Sequence, residues 1–525
     1  MSNNITTSYA TPENTSIAGL RTLISTTIYD NMFSDNQIFF FITKEFVQAG
    51  VSPDSLQSAE TIYENIIMLD RVTPEETSSV VPRIDWEKGT VYNGFDSTKN
   101  MYNYQVGFSG NVNLEYKTYV MTDEYNVYLC IKNSESGFIR SQVGSTIKPT
   151  SVDTEEFTLA DGYTWKYLYS LNNADFAFLT QKFLPVPAPV KINETIINKT
   201  SAKYRQQQNQ LTAVGGSIRD LRVNLSDNRN VYFDVSNPRV EVVGMGTDGK
   251  IELKTTFVAG KGYKLTGYAI TNKGKDYIGG GVRLIDSPNG NGDFVTSSSV
   301  ENLLTIETSY GGVEKDISSD PRVTLQARTI MILGNISQTN ESIGSLPNGI
   351  TCSGFGLIAN PVYGEGSPYA GKVAGAEFGY GTNTRLNIRQ TPIIKIKDNS
   401  GTGFAFSTAQ KINDNRLLPN SKITIEGGEF EYQGNTTSST VMDLRPNQFS
   451  GAGTSNVANL YITGSKRPFT TSDIIKSGTN ATFEVESVIA PTLKVGSGDL
   501  LYINKTTFDI KESQVFKCSI TLVQW

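Results

Sequence analysis

A chain of 525 residues exceeds the size at which one hydrophobic core stops growing, so two or three domains are expected. With 38% hydrophobic and 19% charged residues it is too apolar for a disordered chain and too polar for a membrane protein, and a net charge of −6 argues against a broad footprint for nucleic acid or anionic lipid. The chain contains no histidine, which excludes Ser-His-Asp and Cys-His catalysis, histidine-bearing zinc sites and a histidine general base. Chemistry by paired carboxylates, by lysine or by metals on oxygen ligands stays open. The 47 glycines, 25 tyrosines and 25 phenylalanines favour strands joined by tight turns. The expected fold is therefore mainly β, a multi-domain sandwich or barrel with a few docked helices near the N-terminus. Cys130, Cys352 and Cys518 are far apart and odd in number, which suggests neither a disulfide framework nor a CxxC metal site and suits a reducing compartment.

The opening segment has neither a basic start nor an apolar stretch, and no long uncharged apolar run occurs anywhere, so neither export nor a membrane span is expected. Ser16 caps a predicted helix whose face carries Ile17, Leu20, Leu23, Ile24 and Ile28. The run QIFFFITKEF after Asn36 reads as a buried strand. Ser52-Pro53-Asp54 opens a second helix, with Ile62, Tyr63, Ile66 and Ile67 on one face and an end before Pro74. From Val80 the pattern turns to short β-type runs, VVPRIDW, KTYVMTDEYNVYLCIKN and YTWKYLYSL, of which NVYLCI and TWKYLYS alternate in part, as half-buried strands do. Pro185, Pro187 and Pro189 forbid both helix and central strand and mark an extended boundary. The polar stretch NKTSAKYRQQQNQ fits a short helix or a linker.

Beyond it, short strands with glycine turns predict an inserted β domain, with a hairpin at Asp248-Gly249 and a further turn at Lys273-Gly274. A glycine-rich stretch follows Ile350, then strands at TPIIKIKD, SKITIEGGEFEY, NLYITG and ATFEVESVI, and two apolar strands at the end. The organisation read from this is 1–195 as the N-terminal part of a β core with two helices, 196–210 as a polar linker, 211–347 as the glycine-rich insert, and 348–525 as a C-terminal β region whose last strands, about 498–525, return to the core.

Val80-Val81-Pro82-Arg83-Ile84-Asp85-Trp86 with the following Gly89-Thr90-Val91-Tyr92 resembles a stretch of the baseplate wedge subunit family of T-even-like contractile phages, the product of their gene eight. Tyr119 to Ile131, Lys148-Pro149-Thr150, Asp161-Gly162-Tyr163-Thr164-Trp165 through Tyr169, and Pro185-Val186-Pro187 agree in order. Later islands are Gly354 to Asn360-Pro361 and Gly498-Asp499-Leu500-Leu501-Tyr502-Ile503-Asn504. The resemblance covers residues 15–190 and only islands in 350–525, and nothing in 200–349 matches the family. It implies a non-enzymatic β-sandwich protein of the virion, assembled in the host cytoplasm, that dimerises and touches other wedge subunits. It brings no cofactor, catalytic residue, metal, nucleic acid or membrane with it. Its candidate structural and interface residues here are Pro82, Arg83, Asp85, Trp86, Asp161, Gly162, Tyr163, Trp165, Asn360, Pro361, Leu501 and Tyr502.

Each of these also has a plain physical reading. Asp161-Gly162-Tyr163 serves any strand entry, and Arg83 and Asp85, two apart in an extended run, make either a brace for Trp86 or a solvated pair. Gly244 to Lys250 has phosphate-loop spacing, but Ile251 follows where a magnesium-holding Ser or Thr is needed, so it reads as a hairpin turn. Asp286 to Asp293 offers oxygen ligands, but Ser297 stands where an EF-hand needs glutamate, so it reads as a polar loop. The aromatics of SPYAGKVAGAEFGYG fit a sugar- or protein-binding face, or a core. The glycine-rich insert over 211–347 and its aromatics make a receptor- or glycan-binding tail protein the alternative function, with a carboxylate-based hydrolase behind it.

Overall fold

Six consecutive apolar or β-branched residues need cover on both faces of a strand, and Ile38–Thr43 receives it at every position. The computed structural model describes residues 29–44, 56–95, 117–133, 143–191, 193–223, 230–277, 280–292, 304–308, 320–337, 351–407, 412–427, 436–447, 451–463, 469–478, 480–510 and 513–521. The helix expected from Ser16 and the helix start at Ser52-Pro53-Asp54 lie outside them. The described chain is mainly β and divides into two compact units, one over Asp30–Thr77 and Ile332–Cys518, the other over Ser78–Met331 with Tyr29 and residues 519–521.

In the first unit, Ile38–Thr43 lies at the centre of an antiparallel sheet. The strand order is Asn387–Arg389, Ile66–Arg71, Ile38–Thr43, Thr351–Ala359, Asp499–Asp509. Phe39 and Phe41 face one core with Ile62, Ile66, Leu69, Ile358 and Ile388. Phe40 faces the other way, its ring 5.5 Å from Phe355 and 5.2 Å from Phe516. Gly334 backs so closely on Phe40 that a Cβ there would stand 2.3 Å from a ring carbon. Helix α1, Leu56–Asn65, contributes Ile62 to the first of these faces. The expected helix carried Ile66 and Ile67 and ended before Pro74, whereas the chain passes from Asn65 straight into the strand Ile66–Arg71. A spacing of four between Ile62 and Ile66 suits either period, and pairing with Ile38–Thr43 decides it.

The same unit contains a closed six-stranded barrel, ordered Ile393–Asp398, Val457–Ile462, Thr437–Pro446, Lys422–Gly427, Asp473–Ser477, Thr482–Ile489. Burial alternates strictly along Ile393–Asp398 and Val457–Ile462, as a filled barrel requires. Ile394, Ile396, Leu460, Ile475 and Phe483 fill it, with Phe404 stacked on Phe483 at 5.6 Å.

In the second unit, Tyr119–Met121, Asn126–Lys132, Thr164–Ser170 and Phe157–Thr158 form an antiparallel sheet over a core rich in aromatics. The inner five residues of Asn126–Lys132 and Thr164–Ser170 are all buried, so these strands are covered on both faces rather than half-buried as their partial alternation suggested. Pro185 sits within the strand Phe183–Val186, opposite Val80 of Thr77–Pro82, and this strand lies at a sheet edge, where a missing N–H is tolerated. The stretch left between helix and linker is helix α2, Ala202–Thr212, capped by the Ser201 hydroxyl accepting from the Tyr204 amide. Two sheets over Ile218–Leu284 and Leu304–Thr308 share a core of Ile218, Phe233, Ile251, Leu253, Leu265 and Val282.

Two turns in that region fall elsewhere than expected. Asp248-Gly249 lies inside the strand Thr247–Val258, which pairs with Gly262–Lys275, while Val240–Gly244 pairs with Gly280–Leu284. The hairpin therefore closes after Val258, and Lys273-Gly274 also lies within a strand. Asp248 at φ 66° and Gly274 at φ 58° stand opposite each other, so the left-handed residues typical of turns here make a local irregularity in a long ribbon.

Replacing Gly334 by Ala forces a methyl into the Phe40 ring. The expected cost is about 1–3 kcal/mol of unfolding free energy, read as a lower midpoint for the first unit in urea, with wild-type stability as the outcome that contradicts the packing.

Candidate functional site

Blocks that are distant in sequence converge in the second unit. Pro82 ends its strand, and its carbonyl accepts from the Tyr119 hydroxyl at 2.6 Å. Arg83 Nε donates to both oxygens of Asp85 at 2.9 and 3.0 Å, and its Nη1 donates to the Thr180 carbonyl at 3.2 Å. The pair is partly exposed, so it fixes the path of the chain more than it stabilises the fold. The Trp86 amide donates to the Met121 carbonyl at 2.9 Å and its indole Nε1 to Ser145 Oγ at 3.1 Å.

Asp161 gathers the loop ends. Its Oδ2 accepts from the amides of Thr146 and Ile147 at 2.8 and 3.0 Å and from Ser145 Oγ at 3.2 Å, and its Oδ1 accepts from the Tyr163 amide at 3.2 Å. Gly162, at φ 87°, supplies the left-handed residue that lets Leu159 and Tyr163 close this turn. Tyr163 is fully buried, donating to the Val143 carbonyl at 2.7 Å and accepting from the Tyr92 amide at 3.3 Å. It stacks on Trp165 at 5.7 Å, and Tyr92 meets Trp165 edge-on at 5.5 Å. Burial pushes the Tyr163 phenol up to about 12 and raises Tyr92 as well, so neither is a base near neutrality. Lys148, from the third block, pairs with Asp123 and Glu124 of the second.

The polar atoms of Arg83, Asp85, Asp161 and Tyr163 are thus spent on holding the chain. Asn360, Pro361, Leu501 and Tyr502 belong to the first unit. Asn360, at φ 51°, accepts from the Gln37 amide at 2.9 Å and donates to Asn36 Oδ1 at 2.9 Å. Gly498 packs onto Pro361, Tyr502 lies opposite Leu357 and accepts from Asn504 Nδ2 at 3.0 Å, and Leu501 is exposed.

The other chemistry-bearing motifs also close on themselves. A strand and not a helix follows Gly244–Lys250, so no amides converge on a phosphate there. The link joins strands that pair with different partners, which corrects the hairpin reading of this motif. Asp286 is held low first by the Arg239 side chain, whose Nη2 lies 2.9 Å away, and its oxygens are thereby occupied. Arg416 bridges Asp398 at 2.7 Å and Asp414 at 2.6 Å. Burial works to raise both carboxyls, but hydrogen bonds from Ser400 and Arg416 for Asp398, and from Arg416 for Asp414, hold them below the usual range. Among the described residues no group of three Cys, Asp or Glu is placed to hold a metal ion.

Sequence reasoning missed two arrangements. In the first, α2 turns buried amides onto the proline-rich segment beside it: Gln206 donates to the Ala188 carbonyl at 2.9 Å, Gln207 to those of Lys191 and Glu194 at 2.9 Å, and Gln210 both accepts from the Val190 amide at 2.9 Å and donates to its carbonyl at 3.0 Å. Asn209 caps the Tyr167 and Leu168 carbonyls at 2.8 and 3.0 Å. The signal was QQQNQ next to a segment whose prolines leave carbonyls without a ladder.

In the second, buried Arg71 holds the glycine-rich loop by its carbonyls, donating to Gly379 at 2.8 Å, to Thr384 at 3.1 Å and to Thr382 Oγ1 at 3.2 Å. Burial lowers the Arg71 pKa against the opposing pull of Glu377 and Tyr363. The loop presents Tyr369, Phe378 and Tyr380 at 42, 43 and 45% exposure, so these three aromatics are surface and not core. Comparison with protein-family models and with curated proteins returned no match.

Asp161→Ala removes the acceptor for three backbone amides and one hydroxyl. We expect a loss of about 1–3 kcal/mol and faster amide exchange confined to residues 143–147 and 161–163; unchanged exchange there would contradict the role of Asp161 as the tie.

Proposed function

We propose that the chain is a structural subunit of a contractile phage tail, a wedge component of the baseplate, acting through protein–protein interfaces and not as an enzyme. The observation that carries the reading is convergence. The blocks that resemble the wedge family, Val80 to Tyr92, Tyr119 to Ile131, Lys148 to Thr150 and Asp161 to Tyr169, meet in one node braced by Asp161, Trp86 and Tyr163. Residues kept for a shared scaffold meet in this way, whereas residues kept for catalysis leave a polar group facing a cleft. A contractile baseplate holds one geometry and then adopts another, which favours rigid sheets that repack at their interfaces. The proposed partners are a second copy of the chain and other wedge subunits, and the proposed location is the virion tail, with assembly in the host cytoplasm.

Sedimentation or mass photometry of the purified chain, alone and mixed with the other wedge subunits of the same genome, tests this. The expected result is a dimer that joins a larger complex; a monomer indifferent to those subunits overturns the reading.

A receptor- or glycan-binding role is the second reading, and the exposed Tyr369, Phe378 and Tyr380 favour it, because sugar C–H faces stack on such rings. Replacing all three by Ala separates the two. Loss of host adsorption by intact tails supports receptor binding, and unchanged adsorption removes that reading.

A further inference from the structure

Asp70 lies in the strand Ile66–Arg71, with Phe40 opposite it on one side and Asn387 on the other. Directly opposed residues point to the same face of a sheet, and this is the face on which Gly334 presses against Phe40. Asp70 is 2% exposed. Among the described residues it has one hydrogen-bond donor, the Asn335 amide, 3.2 Å from Oδ2. Asn387, its cross-strand neighbour, has a buried Oδ1 with no partner. Two acceptor groups therefore stand in directly opposed positions, and a proton between them satisfies both.

The charged groups around Asp70 act in opposite directions, and the one that opposes its ionisation is the stronger. Glu76 lies close by as a second carboxylate, engaged by Arg385 at 2.9 Å and by the Thr73 amide at 3.0 Å. Arg385 is mostly exposed and spends its guanidinium on Glu76. Burial first, and Glu76 second, push Asp70 up from 3.8 to about 8, against the weaker pull of the Asn335 amide and of Arg385. A buried carboxylate with one amide donor is costly when charged and cheap when protonated.

We propose that Asp70 and Asn387 form a proton-held clasp: Asp70 is kept as the neutral acid, its O–H donates to Asn387 Oδ1, and loss of that proton to solvent loosens the edge strand Asn387–Arg389 from Ile66–Arg71. The clasp is independent of the assembly role proposed above. Its sign follows from linkage. The folded state binds the proton more tightly than the open chain, so the stabilisation is complete below pH about 4, is lost progressively as pH rises, and is gone above about 8.

The test uses the full chain and its Asp70→Asn variant, whose amide donates at every pH. Amide exchange of residues 385–391, corrected for intrinsic rates, is followed from pH 5 to 9.5. In the wild type the opening constant should rise up to about tenfold per pH unit and level off near 8, whereas in the variant it should stay flat. Equal slopes in the two proteins overturn the proposal. Should the variant fail to fold, carboxyl carbon NMR of the wild type decides: a buried aspartate signal moving near 8 sustains the clasp, and aspartate signals that all move near 4 refute it.

Discussion

A buried backbone group without a partner costs as much as a lost hydrogen bond, and this requirement governs the molecule wherever its sheets are interrupted. Ladders meet it along the strands. Where they cannot, side chains of a particular kind take over. Asp161 receives the amides of the 143–147 segment, Arg71 feeds the carbonyls of the glycine-rich loop, and the amides of α2 complete the segment beyond Val186, where Pro187 and Pro189 stand outside any ladder. In each case the side chain matches the sign of the unmet group, with a carboxylate for amides and a guanidinium or amide for carbonyls.

That pattern bears on function. Asp161, Arg71 and Arg416 are committed to shaping loops, while Tyr369, Phe378 and Tyr380 stand exposed. Fixed surfaces of this kind suit the proposed role of a subunit working through its neighbours. The node of Trp86, Asp161 and Tyr163 holds these loops at set positions on the margin of the aromatic core.

Much of this was legible locally. QIFFFITKEF declared a doubly covered strand, and the alternation in TPIIKIKD and NLYITG is the inside-outside rhythm of the barrel. Patterns shared by two structures misled. Ile62 and Ile66 suit helix or strand, and Asp248-Gly249 suits a turn or an irregular ribbon. What no local pattern encodes is the pairing of residues 38–43 with residues 354–359, some three hundred positions apart, because register over that distance is set by packing and not by neighbours in sequence. Of the candidate residues, Asp161, Tyr163 and Trp86 were singled out by resemblance, and the structure joins all three to the 143–147 segment. Arg71 and the α2 glutamines were invisible because polar side chains are read as surface until the chain they complete is known.

The α2 amides differ in kind from the ion pairs elsewhere in the molecule. Gln206, Gln207, Asn209 and Gln210 hold their partners without any formal charge, so neither ionic strength nor acidity alters the grip. These amide contacts of α2 with the 188–194 segment are therefore a salt-indifferent fixture, and of its links to that segment among the described residues only the Lys203–Glu194 ion pair weakens as ionic strength rises.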